Sequence, residues 1–389
     1  MLPGDLYPQF SDAEFSRRFA LVRAAMRVHN LSALVLYGTI SNHYELQYLS
    51  GYPVTWEAFL IFPVEGDPSL LLELYNHVPN ARNVASTKDV HWGGPDLAET
   101  TSENVRERGL AEGRIGLVGL LPMQRYEVLT RLLPRATFVD FTATMMDLRL
   151  VKSDEEVEVL RRGAELSDLA IEALEREARP GLTEHELAAI IEAAYVGRGG
   201  QTNIHYLATT PMEYPAACVP AQRHSMRVLE RGDVLITEIS AMYIQGYPGQ
   251  ILRPFTIGRI PPTVLYQRLY DVAVDAFERI CAVIRPGTTT DEVLDAANSI
   301  HQAGLSIYDD LLHSYGGGYL PPVLRTRQTR TRPPDEDAFT FREGMTIVVQ
   351  PNVITLDQHA GVQVGELLVV TQNGVESLHR YPMRFVQCG

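Results

Sequence analysis

The chain has 389 residues and a formal net charge of −14. At roughly 100 to 200 residues per domain, this length predicts two domains. Hydrophobic residues make up 45% and charged residues 21% of the chain, a composition that is typical of globular proteins and excludes a disordered or fibrous one. The negative charge opposes binding to nucleic acid or to an anionic membrane surface, so we expect neither as a partner.

The sequence shows no signal for export or for insertion into a membrane. No apolar run reaches the ~18 residues that a spanning helix needs. The acidic start of the chain lacks the basic and apolar parts of a secretory signal. Three cysteines, Cys218, Cys281 and Cys388, are too few and too scattered for a disulfide framework or a cysteine zinc site. We therefore expect a cytoplasmic protein in a reduced compartment.

The first part of the chain alternates helical and strand-like segments. Residues 12–29 place apolar side chains at helical spacing, and the run LSALVLYG from Leu31 predicts a strand. Further apolar runs bounded by turn residues predict more strands, the last of them RATFVD from Arg135. This alternation predicts an α/β domain over residues 1–150.

A long helix and an internal repeat distinguish the second part, residues 151–389. Ser153 and Glu156 form a capping-box pattern ahead of an amphipathic run. The segment RPGLTEHEL recurs later as RPGTTTDEV, and RGDVLITEIS is echoed by EGMTIVVQPN, so that Glu238 corresponds to Gln350. The repeat predicts an α+β domain of two halves related by pseudo-symmetry. The alternative is a chance similarity between two helix starts.

These motifs together resemble the creatinase, prolidase and aminopeptidase P family, which has the pita-bread fold. The resemblance rests on the order of NHYELQYLSGY, LRLVKSDEEVEVLR, the two RPG repeats, LLHSYGGGYLPP, EGMTIVVQPNVI and GVQVGELLVVTQNG along nearly the whole chain. It implies a creatinase-like N-terminal α/β domain, residues 1–150, followed by a pita-bread catalytic-type domain, residues 151–389, with an internal pseudo-two-fold repeat. It also implies a homodimer.

Peptidases of this family bind two divalent metals through two aspartates, a histidine and two glutamates. The resemblance places at those positions, in chain order, Glu238, Gln250, His313, Gln350 and Gly365. Only the histidine is kept, and carboxamides are poor ligands for such ions. The sequence therefore predicts neither a metal nor another cofactor. Sliding the last strand by one residue would bring Glu366 to the ligand position, but strand alternation would then turn its neighbours to the opposite face.

Creatinase and ectoine hydrolase, which share this fold and work without metals, suggest what the altered site does. The resemblance to them implies hydrolysis of a C–N bond in a small polar non-peptide molecule, such as an amide, an amidine or a cyclic amino-acid derivative. Glu238 would be the general base or nucleophile, with a pKa raised by burial, and His313 the proton shuttle. The predicted substrate-binding residues are Gln250, Arg253, Gln350, His205, Tyr319 and Glu366.

Several of these assignments have structural alternatives. The planar fork of Arg253 suits a substrate carboxylate or, equally, a structural one. His205 and Tyr319 are as well explained by packing. The glycines at 316–318 predict either a loop of anion-binding amides or a tight turn with positive φ. The arginine-rich segment RTRQTRTRPP, residues 325–334, predicts a solvated loop.

Two other function classes remain open. A non-catalytic pita-bread binding protein would have its pocket filled by side chains, whereas an enzyme would keep an open polar cavity of roughly a few hundred cubic ångströms. An atypical Xaa-Pro dipeptidase or aminopeptidase would be activated by manganese or cobalt and abolished by a chelator. The absence of long charged or low-complexity tails favours an enzyme.

Overall fold

The structure is a computed structural model that describes residues 6–330 and 339–389. Part of the arginine-rich segment, residues 331–334, lies outside the described residues, as do the first five residues of the acidic start. The chain divides into two units, residues 1–149 and 150–389. Within the described ranges, no helix is both long enough and apolar enough to cross a lipid bilayer.

The first unit is built on a six-stranded mixed sheet. Its strands are β1 (Ala33–Thr39), β2 (Glu57–Pro63), β3 (Ser69–Leu72), β4 (Val90–Trp92), β5 (Arg114–Val118) and β6 (Thr137–Asp140). Its helices are α1 (Asp12–Val28), α2 (Tyr44–Ser50), α3 (Val78–Val84), α4 (Leu97–Glu107), α5 (Met123–Leu132) and α6 (Thr142–Leu148). The strand order is β4-β3-β2-β1-β5-β6. The α/β domain that the sequence predicts is confirmed.

Strand β1 shows why its sequence is apolar without alternation. Leu34 and Leu36 belong to one hydrophobic cluster, whereas Val35 and Tyr37 belong to another. Because successive side chains point to opposite faces, a strand covered on both sides needs apolar residues at every position. The same holds for β2, which is buried along nearly all of its length.

The second unit contains a long helix, further helices, a ten-stranded sheet and a three-stranded sheet. Its helices are α7 (Asp154–Glu177), α8 (Glu184–Tyr195), α9 (Val264–Val283), α10 (Thr290–Ala296) and α11 (Ser299–Gln302). Its strands are β7 (Gln201–Pro211), β8 (Asp233–Met242), β9 (Pro248–Leu252), β10 (Phe255–Ile257), β11 (Ser306–Ile307), β12 (Leu312–Tyr315), β13 (Tyr319–Leu324), β14 (Thr346–Val349), β15 (Asn352–Ile354), β16 (Gly361–Gln363), β17 (Gly365–Thr371), β18 (Gly374–Ser377) and β19 (Val386–Cys388). The three-stranded sheet consists of β11, β15 and β16.

The large sheet of this unit joins two similar halves. Its order is β13-β12-β14-β17-β9-β8-β10-β19, with β7 beside β8 and β18 beside β17. One half contributes β7, β8 and β9, and the other contributes β12, β14 and β17. The halves meet where β9 pairs antiparallel with β17, at Leu252 opposite Gly365. This arrangement confirms the predicted pita-bread domain with its internal repeat.

The repeated RPG segments begin equivalent helices. Thr183 caps α8 and Thr289 caps α10, and each hydroxyl accepts a hydrogen bond from the backbone N–H three residues on, at 3.2 and 3.4 Å. The carboxylates of Glu186 and Glu292 accept in return from the backbone N–H groups of the two threonines. Both capping boxes satisfy donors that a helix start would otherwise leave unpaired.

Candidate functional site

A cavity of about 270 Å³ lies against the large sheet of the second unit. It brings together side chains from both halves of the repeat and from two connecting segments. Its lining consists of Ile204, Tyr206, Pro220, Gln222, Glu238, Gln250, Asp309, Asp310, His313, Tyr315, Tyr319 and Gln350. The positions that the family resemblance assigns to the catalytic centre therefore converge, except for Gly365.

Strand register explains why the residues of the first half share one face. Tyr206 of β7 lies opposite Glu238 of β8, and Ser240, two residues further, lies opposite Gln250 of β9. Residues that are directly opposite, or two apart along one strand, point to the same face of a sheet. The three strands therefore present Tyr206, Glu238 and Gln250 side by side.

The second half supplies an imidazole and a second amide. His313 of β12 lies opposite Val348 of β14, and Gln350 follows directly after β14. The imidazole packs against the ring of Tyr319, with ring centroids 4.4 Å apart, and edge-on against Tyr315 at 4.9 Å. These aromatic contacts fix the orientation of His313 at the cavity wall.

A chain of hydrogen bonds links the buried carboxylate to the imidazole. Gln250 Nε2 donates to Glu238 Oε1 at 3.1 Å and also to Gln350 Oε1. A further side-chain hydrogen bond joins Gln350 to His313. Both glutamines are buried, so the network satisfies polar groups that would otherwise be costly to remove from water.

Burial dominates the protonation of these groups. It raises the pKa of Glu238 well above its ordinary range, and the nearby Asp309 and Asp310 charges raise it further. Burial also raises the pKa of Asp309 to about 6, with a contribution from Asp310. Burial lowers the pKa of His313 to about 4, although hydrogen bonds to Ser314 and Gln350 partly oppose this. Near neutral pH the imidazole is therefore uncharged.

The side chains at this site do not fit two divalent metals. Gln250 Nε2 lies between two oxygen atoms and donates to both, so an N–H donor stands where a metal needs an acceptor. In the described ranges, no three His, Cys, Asp or Glu side chains are grouped so that they could hold a metal ion. The neutral amides thus fill the sheet positions that the resemblance assigns to metal ligands.

At the fifth metal-ligand position, Gly365, the neighbouring backbone leaves no room for a side chain. A Cβ atom built on Gly365 would lie 2.3 Å from Val349 O and 2.7 Å from Gln350 Cα. Both are backbone atoms of the neighbouring strand segment, which cannot move aside as a side chain can. A glutamate therefore cannot replace this glycine unless β14 and β17 separate.

The structure corrects the predictions for Arg253 and Glu366, neither of which lines the cavity. Arg253 follows directly after β9, three residues beyond Gln250, and its side chain points away from the cavity. There it forms an ion pair with Glu366 and donates to the carbonyl oxygens of Gly365 at 2.8 Å and Tyr381 at 2.9 Å. Its side chain is 0% exposed, so its hydrogen-bonding capacity is used within the protein.

His205 likewise lies away from the cavity. Its neighbours Ile204 and Tyr206 line the cavity, so alternation along β7 turns His205 to the opposite face. There its Nε2 atom and the hydroxyl of Tyr195 on α8 are 2.5 Å apart. Of the two interpretations of His205, the structure supports packing. Tyr319, by contrast, does line the cavity and is 51% exposed.

The glycine loop after His313 is a turn rather than an anion-binding loop. Gly316, Gly317 and Gly318 all have positive φ, of 106°, 71° and 103°. The amides of Gly317 and Gly318 both donate to Gly246 O, at 2.8 and 3.1 Å. The backbone donors of this loop are thus already used, and no oxyanion can take them without breaking the turn.

Asp309 and Asp310 are cavity residues that the sequence analysis did not single out. They stand directly before the strand that carries His313, in the segment YDDLLHSYGGG. Their closeness in sequence to that histidine was an available signal. What the sequence does not show is that the turn before β12 directs them into the cavity instead of into solvent.

Comparison with known proteins identifies the family. Residues 158–372 match the model of metallopeptidase family M24, and residues 18–151 match the creatinase/prolidase N-terminal domain. The first match covers more than half of the chain, so this chain belongs to the M24 metallopeptidase family, as the resemblance implied.

Relatives and solved structures agree with this assignment. The chain is 26% identical to the "Probable dipeptidase PepE" of Mycobacterium bovis, over 96% of this chain and 97% of that protein. It is 27% identical to the "Xaa-Pro dipeptidase" of Pyrococcus furiosus, over 60% of this chain and 64% of that protein. The X-Pro aminopeptidase structure from Thermotoga maritima superposes with a TM-score of 0.82 at 20% identity, over 95% of this chain and 99% of that chain, and shows the same fold.

These comparisons correct the predicted function. The prediction of a non-peptide substrate is wrong, because the matching family is one of peptidases and the relatives are named as dipeptidases. The creatinase-like or ectoine hydrolase-like specificity is not supported either. The changed metal-ligand positions are a few residues of the site, whereas family membership depends on the whole sequence. The family indicates a hydrolase of the peptidase kind.

Proposed function

We propose that this chain hydrolyses the peptide bond of dipeptides, Xaa-Pro dipeptides first among them, in the cavity lined by Glu238 and His313. The observation that carries the proposal is the open polar cavity at the positions that correspond to the family's catalytic centre. Relatives that align over 96% and over 60% of this chain are named as dipeptidases, which supports a peptide substrate.

The size of the cavity favours a short substrate. Its volume of about 270 Å³ is slightly below the roughly 300–1,000 Å³ of typical small-molecule pockets. A dipeptide fits such a volume, whereas a longer peptide would have to extend past the half-exposed ring of Tyr319. A non-catalytic binding protein would have this space filled by side chains, so the open cavity supports the enzyme.

Hydrolysis of a peptide bond needs a base that takes a proton from water and an acid that protonates the leaving nitrogen. The cavity holds three carboxyl groups, and all three have raised pKa values: that of Asp309 is about 6, that of Glu238 lies well above its ordinary range, and that of Asp310 is also raised. Near neutral pH, Asp309 is ionised and suits the base, while the raised pKa of Glu238 favours its protonated form and suits the acid. These roles replace the assignment of Glu238 as base.

The hydrogen bonds of Gln250 and Gln350 would hold the carboxyl group of Glu238 in place. Gln250 holds Glu238 Oε1, while the hydrogen bonds of the glutamines lead on to His313. The uncharged imidazole cannot act as a cationic acid near neutral pH. Its contribution would be to hold Gln350 and to present an aromatic wall to the substrate.

The test is turnover of defined dipeptides by the purified chain, followed by mass spectrometry. We expect cleavage of Ala-Pro or a similar Xaa-Pro dipeptide, and a loss of about 100-fold or more in kcat for Glu238→Gln, which removes the carboxylic acid but keeps its volume. Glu172→Gln, at an exposed position of α7, is the matched control and should keep the wild-type rate. A folded protein that cleaves no dipeptide would refute the proposal.

Removal of metals is the companion measurement. Because the amides of Gln250 and Gln350 and the missing side chain at Gly365 do not suit two metals, we expect the same rate with a chelator as with added manganese or cobalt. A rate that the chelator abolishes and manganese restores would contradict this interpretation of the site, while leaving the peptidase activity itself established.

A further inference from the structure

A row of three side chains crosses the cavity wall on neighbouring segments of the sheet. Leu207 of β7 and Ala221 exchange two backbone hydrogen bonds, both of 3.2 Å, so the connection between β7 and β8 extends the sheet at this point. Such an antiparallel pair brings the next residues, Gln222 and Tyr206, opposite each other, and both line the cavity. On the other side of β7, Tyr206 lies opposite Glu238. The row therefore runs from Gln222 through Tyr206 to Glu238.

Two members of this row keep a hydrogen-bond donor for a ligand. Neither the amide of Gln222 nor the hydroxyl of Tyr206 has a hydrogen-bond partner within the described ranges. Burial raises the pKa of Tyr206, and the charges of Glu238 and Asp309 raise it further, so the hydroxyl stays protonated near neutral pH and can donate. Two neutral donors thus stand side by side at the cavity wall.

The C-terminal carboxylate of a dipeptide needs donors of this kind. The lining described in the structure contains no lysine or arginine to bind it. The acids Glu238, Asp309 and Asp310 attract the N-terminal ammonium of a dipeptide and repel its carboxylate. An amide N–H and a phenolic O–H donate to a carboxylate without adding charge, and hydrogen bonds to an ionised acceptor are the stronger ones.

The order of the row agrees with the chemistry proposed above. The leaving nitrogen that Glu238 would protonate belongs to the C-terminal residue of the substrate, and the carboxylate of that residue is two bonds away. Residues that lie opposite each other on antiparallel strands have Cβ atoms about 4.5–5.5 Å apart. A substrate with its leaving nitrogen at Glu238 therefore brings its carboxylate to the next place in the row, at Tyr206 and Gln222.

A buried carboxylate outside the cavity holds this row together. The connection between β7 and β8, residues 212–232, contains no helix or strand of its own. Glu184 of α8 is 4% exposed, and its Oε1 accepts from the backbone N–H and the hydroxyl of Thr209 on β7, at 2.9 and 2.7 Å. Its Oε2 accepts from the same two groups of Ser225, at 2.9 and 2.6 Å. Glu184 thus ties the strand of Tyr206 to the segment of Gln222.

The internal repeat shows that the helix start itself does not need this carboxylate. The residue after the capping threonine is Glu184 in the first half and Thr290 in the second. Their backbone N–H groups make equivalent contacts, since Glu184 donates to Arg227 O at 3.3 Å and Thr290 donates to Phe339 O at 3.0 Å. The backbone contact is common to both halves, whereas the carboxylate occurs in the half that carries Gln222.

We infer that Tyr206 and Gln222 bind the C-terminal carboxylate of the substrate and that Glu184 positions Gln222 for this contact. The inference rests on the proposed function and narrows its substrate class to dipeptides with a free carboxylate. A dipeptide amide or a longer peptide presents a neutral carbonyl at the same place and is a poorer substrate. Glu184 is a positioning residue, because it contacts β7 and the connection and not the cavity.

Binding of the product measures the carboxylate contact without turnover. L-proline and L-prolinamide share the ring and the ammonium group and differ in a carboxylate against a neutral amide, so isothermal titration of the full chain with each isolates that group. We expect L-proline to bind at least about tenfold more tightly, because hydrogen bonds to a charged group are the stronger ones. General attraction to the acidic lining would give the opposite order, since prolinamide carries a net positive charge.

Tyr206→Phe and Gln222→Met locate the contact, because each removes the donor and keeps a side chain of similar size. Each should weaken the binding of L-proline by about tenfold, raise KM for Ala-Pro by a similar factor and leave the binding of L-prolinamide within about threefold. Tyr214→Phe, at a position on the same connection that is 76% exposed, is the matched control and should change none of these values. Melting temperatures check that all three variants are folded.

Glu184→Gln tests the positioning role. A carboxamide has one acceptor oxygen where the carboxylate has two, so it cannot accept from both Thr209 and Ser225. We expect KM for Ala-Pro to rise by about fivefold and kcat to stay within about twofold. Glu186→Gln, in the same turn of α8, loses hydrogen bonds from Thr183 and should leave KM unchanged.

A double variant shows which side chain transmits the effect. If Glu184 acts through Gln222, adding Glu184→Gln to Gln222→Met should raise KM no further. Additive rises in KM would overturn the positioning role, and so would equal rises in Glu184→Gln and Glu186→Gln, which would show a general loss of stability.

The outcomes separate this inference from the proposed function. Equal affinity for L-proline and L-prolinamide would overturn the carboxylate contact, and cleavage of Ala-Pro would then still support the function. Tighter binding of L-proline that is lost in Tyr206→Phe and in Gln222→Met, without cleavage of any dipeptide, would refute the function and keep the carboxylate site.

Discussion

At the scale of single residues, Gln250 determines what the cavity can hold. Its amide nitrogen donates to Glu238 and to Gln350, so one neutral group satisfies two buried oxygens. With carboxylates at 250 and 350, three buried acids would lie side by side and would require cations to balance them. The two glutamines remove that requirement, and the acids that remain unbalanced are those across the cavity, Asp309 and Asp310.

Arg253 is the residue whose role the structure changes most, and it supports a prediction about stability. Arg253→Met should lower the free energy of unfolding by about 3–5 kcal/mol, because it leaves the largely buried carboxylate of Glu366 without its partner. Urea denaturation measures this loss. The exposed Arg131, which pairs with Glu99 on the surface, is the control, and Arg131→Met should cost at most about 1 kcal/mol.

A double variant distinguishes this explanation from a general packing defect. If the cost comes from the unpaired charge, Glu366→Gln should recover part of the stability lost in Arg253→Met. Equal stability of the single and double variants would show that the ion pair is not the source of the loss.

At the scale of elements, the pairing of β14 with β17 shapes the site through one glycine. Gly365 stands opposite Leu252 of β9 and beside the backbone of Val349 and Gln350, at the point where the two halves of the sheet join. The lack of a side chain lets Gln350 approach Gln250 closely enough for their hydrogen bond. The glycine at the position where the resemblance implies a glutamate is thus linked to the close packing of these strands.

Gly365→Ala tests that link. The added Cβ would lie 2.3 Å from Val349 O, so we expect the free energy of unfolding to fall by about 1–3 kcal/mol, and turnover to fall with it as Gln350 shifts. Gly197→Ala is the control, because no atom lies within 4 Å of a Cβ added there. Wild-type stability in Gly365→Ala would contradict the close approach of the two strands.

At the scale of the whole molecule, buried acids of two kinds give opposite pH dependences. Burial alone would raise the pKa of Glu184, but hydrogen bonds from Ser225 and Thr209 outweigh it and lower the pKa. A lowered pKa contributes stability above the ordinary value of 4.5 that is lost as the pH falls. The pKa of Asp309 is raised by burial to about 6, so ionisation of Asp309 costs stability as the pH rises from 3.8 to about 6.

This difference predicts how two variants depend on pH. Asp309→Asn should match the wild type near pH 4 and become more stable than it by up to about 3 kcal/mol at pH 7, since one pKa unit corresponds to about 1.4 kcal/mol. Glu184→Gln should be less stable than the wild type at pH 7 and approach it as the pH falls below 4.5. Denaturation curves from pH 4 to 7 measure both, and a pH-independent difference for Asp309→Asn would contradict the burial of this acid.

Local sequence patterns predicted several of the helices and strands and, through their order, the family. Capping boxes, continuous apolar runs and the repeated RPG segments are local patterns, and local patterns fix where helices and strands start and which strands are covered on both faces. They also placed Glu238, Gln250, His313 and Gln350, because the repeat and the motif order gave their strands. The prediction of a non-peptide substrate was wrong because it depended only on the four changed metal-ligand positions, Glu238, Gln250, Gln350 and Gly365.

Which further side chains complete the cavity follows from how distant segments of the chain pack together. The turn before β12 directs the side chains of Asp309 and Asp310 into the cavity. A turn has no periodicity from which the direction of its side chains could be predicted. His205 lies on the face of β7 away from the cavity, next to Tyr195 of α8, and Arg253 pairs with Glu366, which is distant in sequence. Contacts between distant segments depend on how strands pair, and strand register is set by packing across the sheet rather than by any one segment.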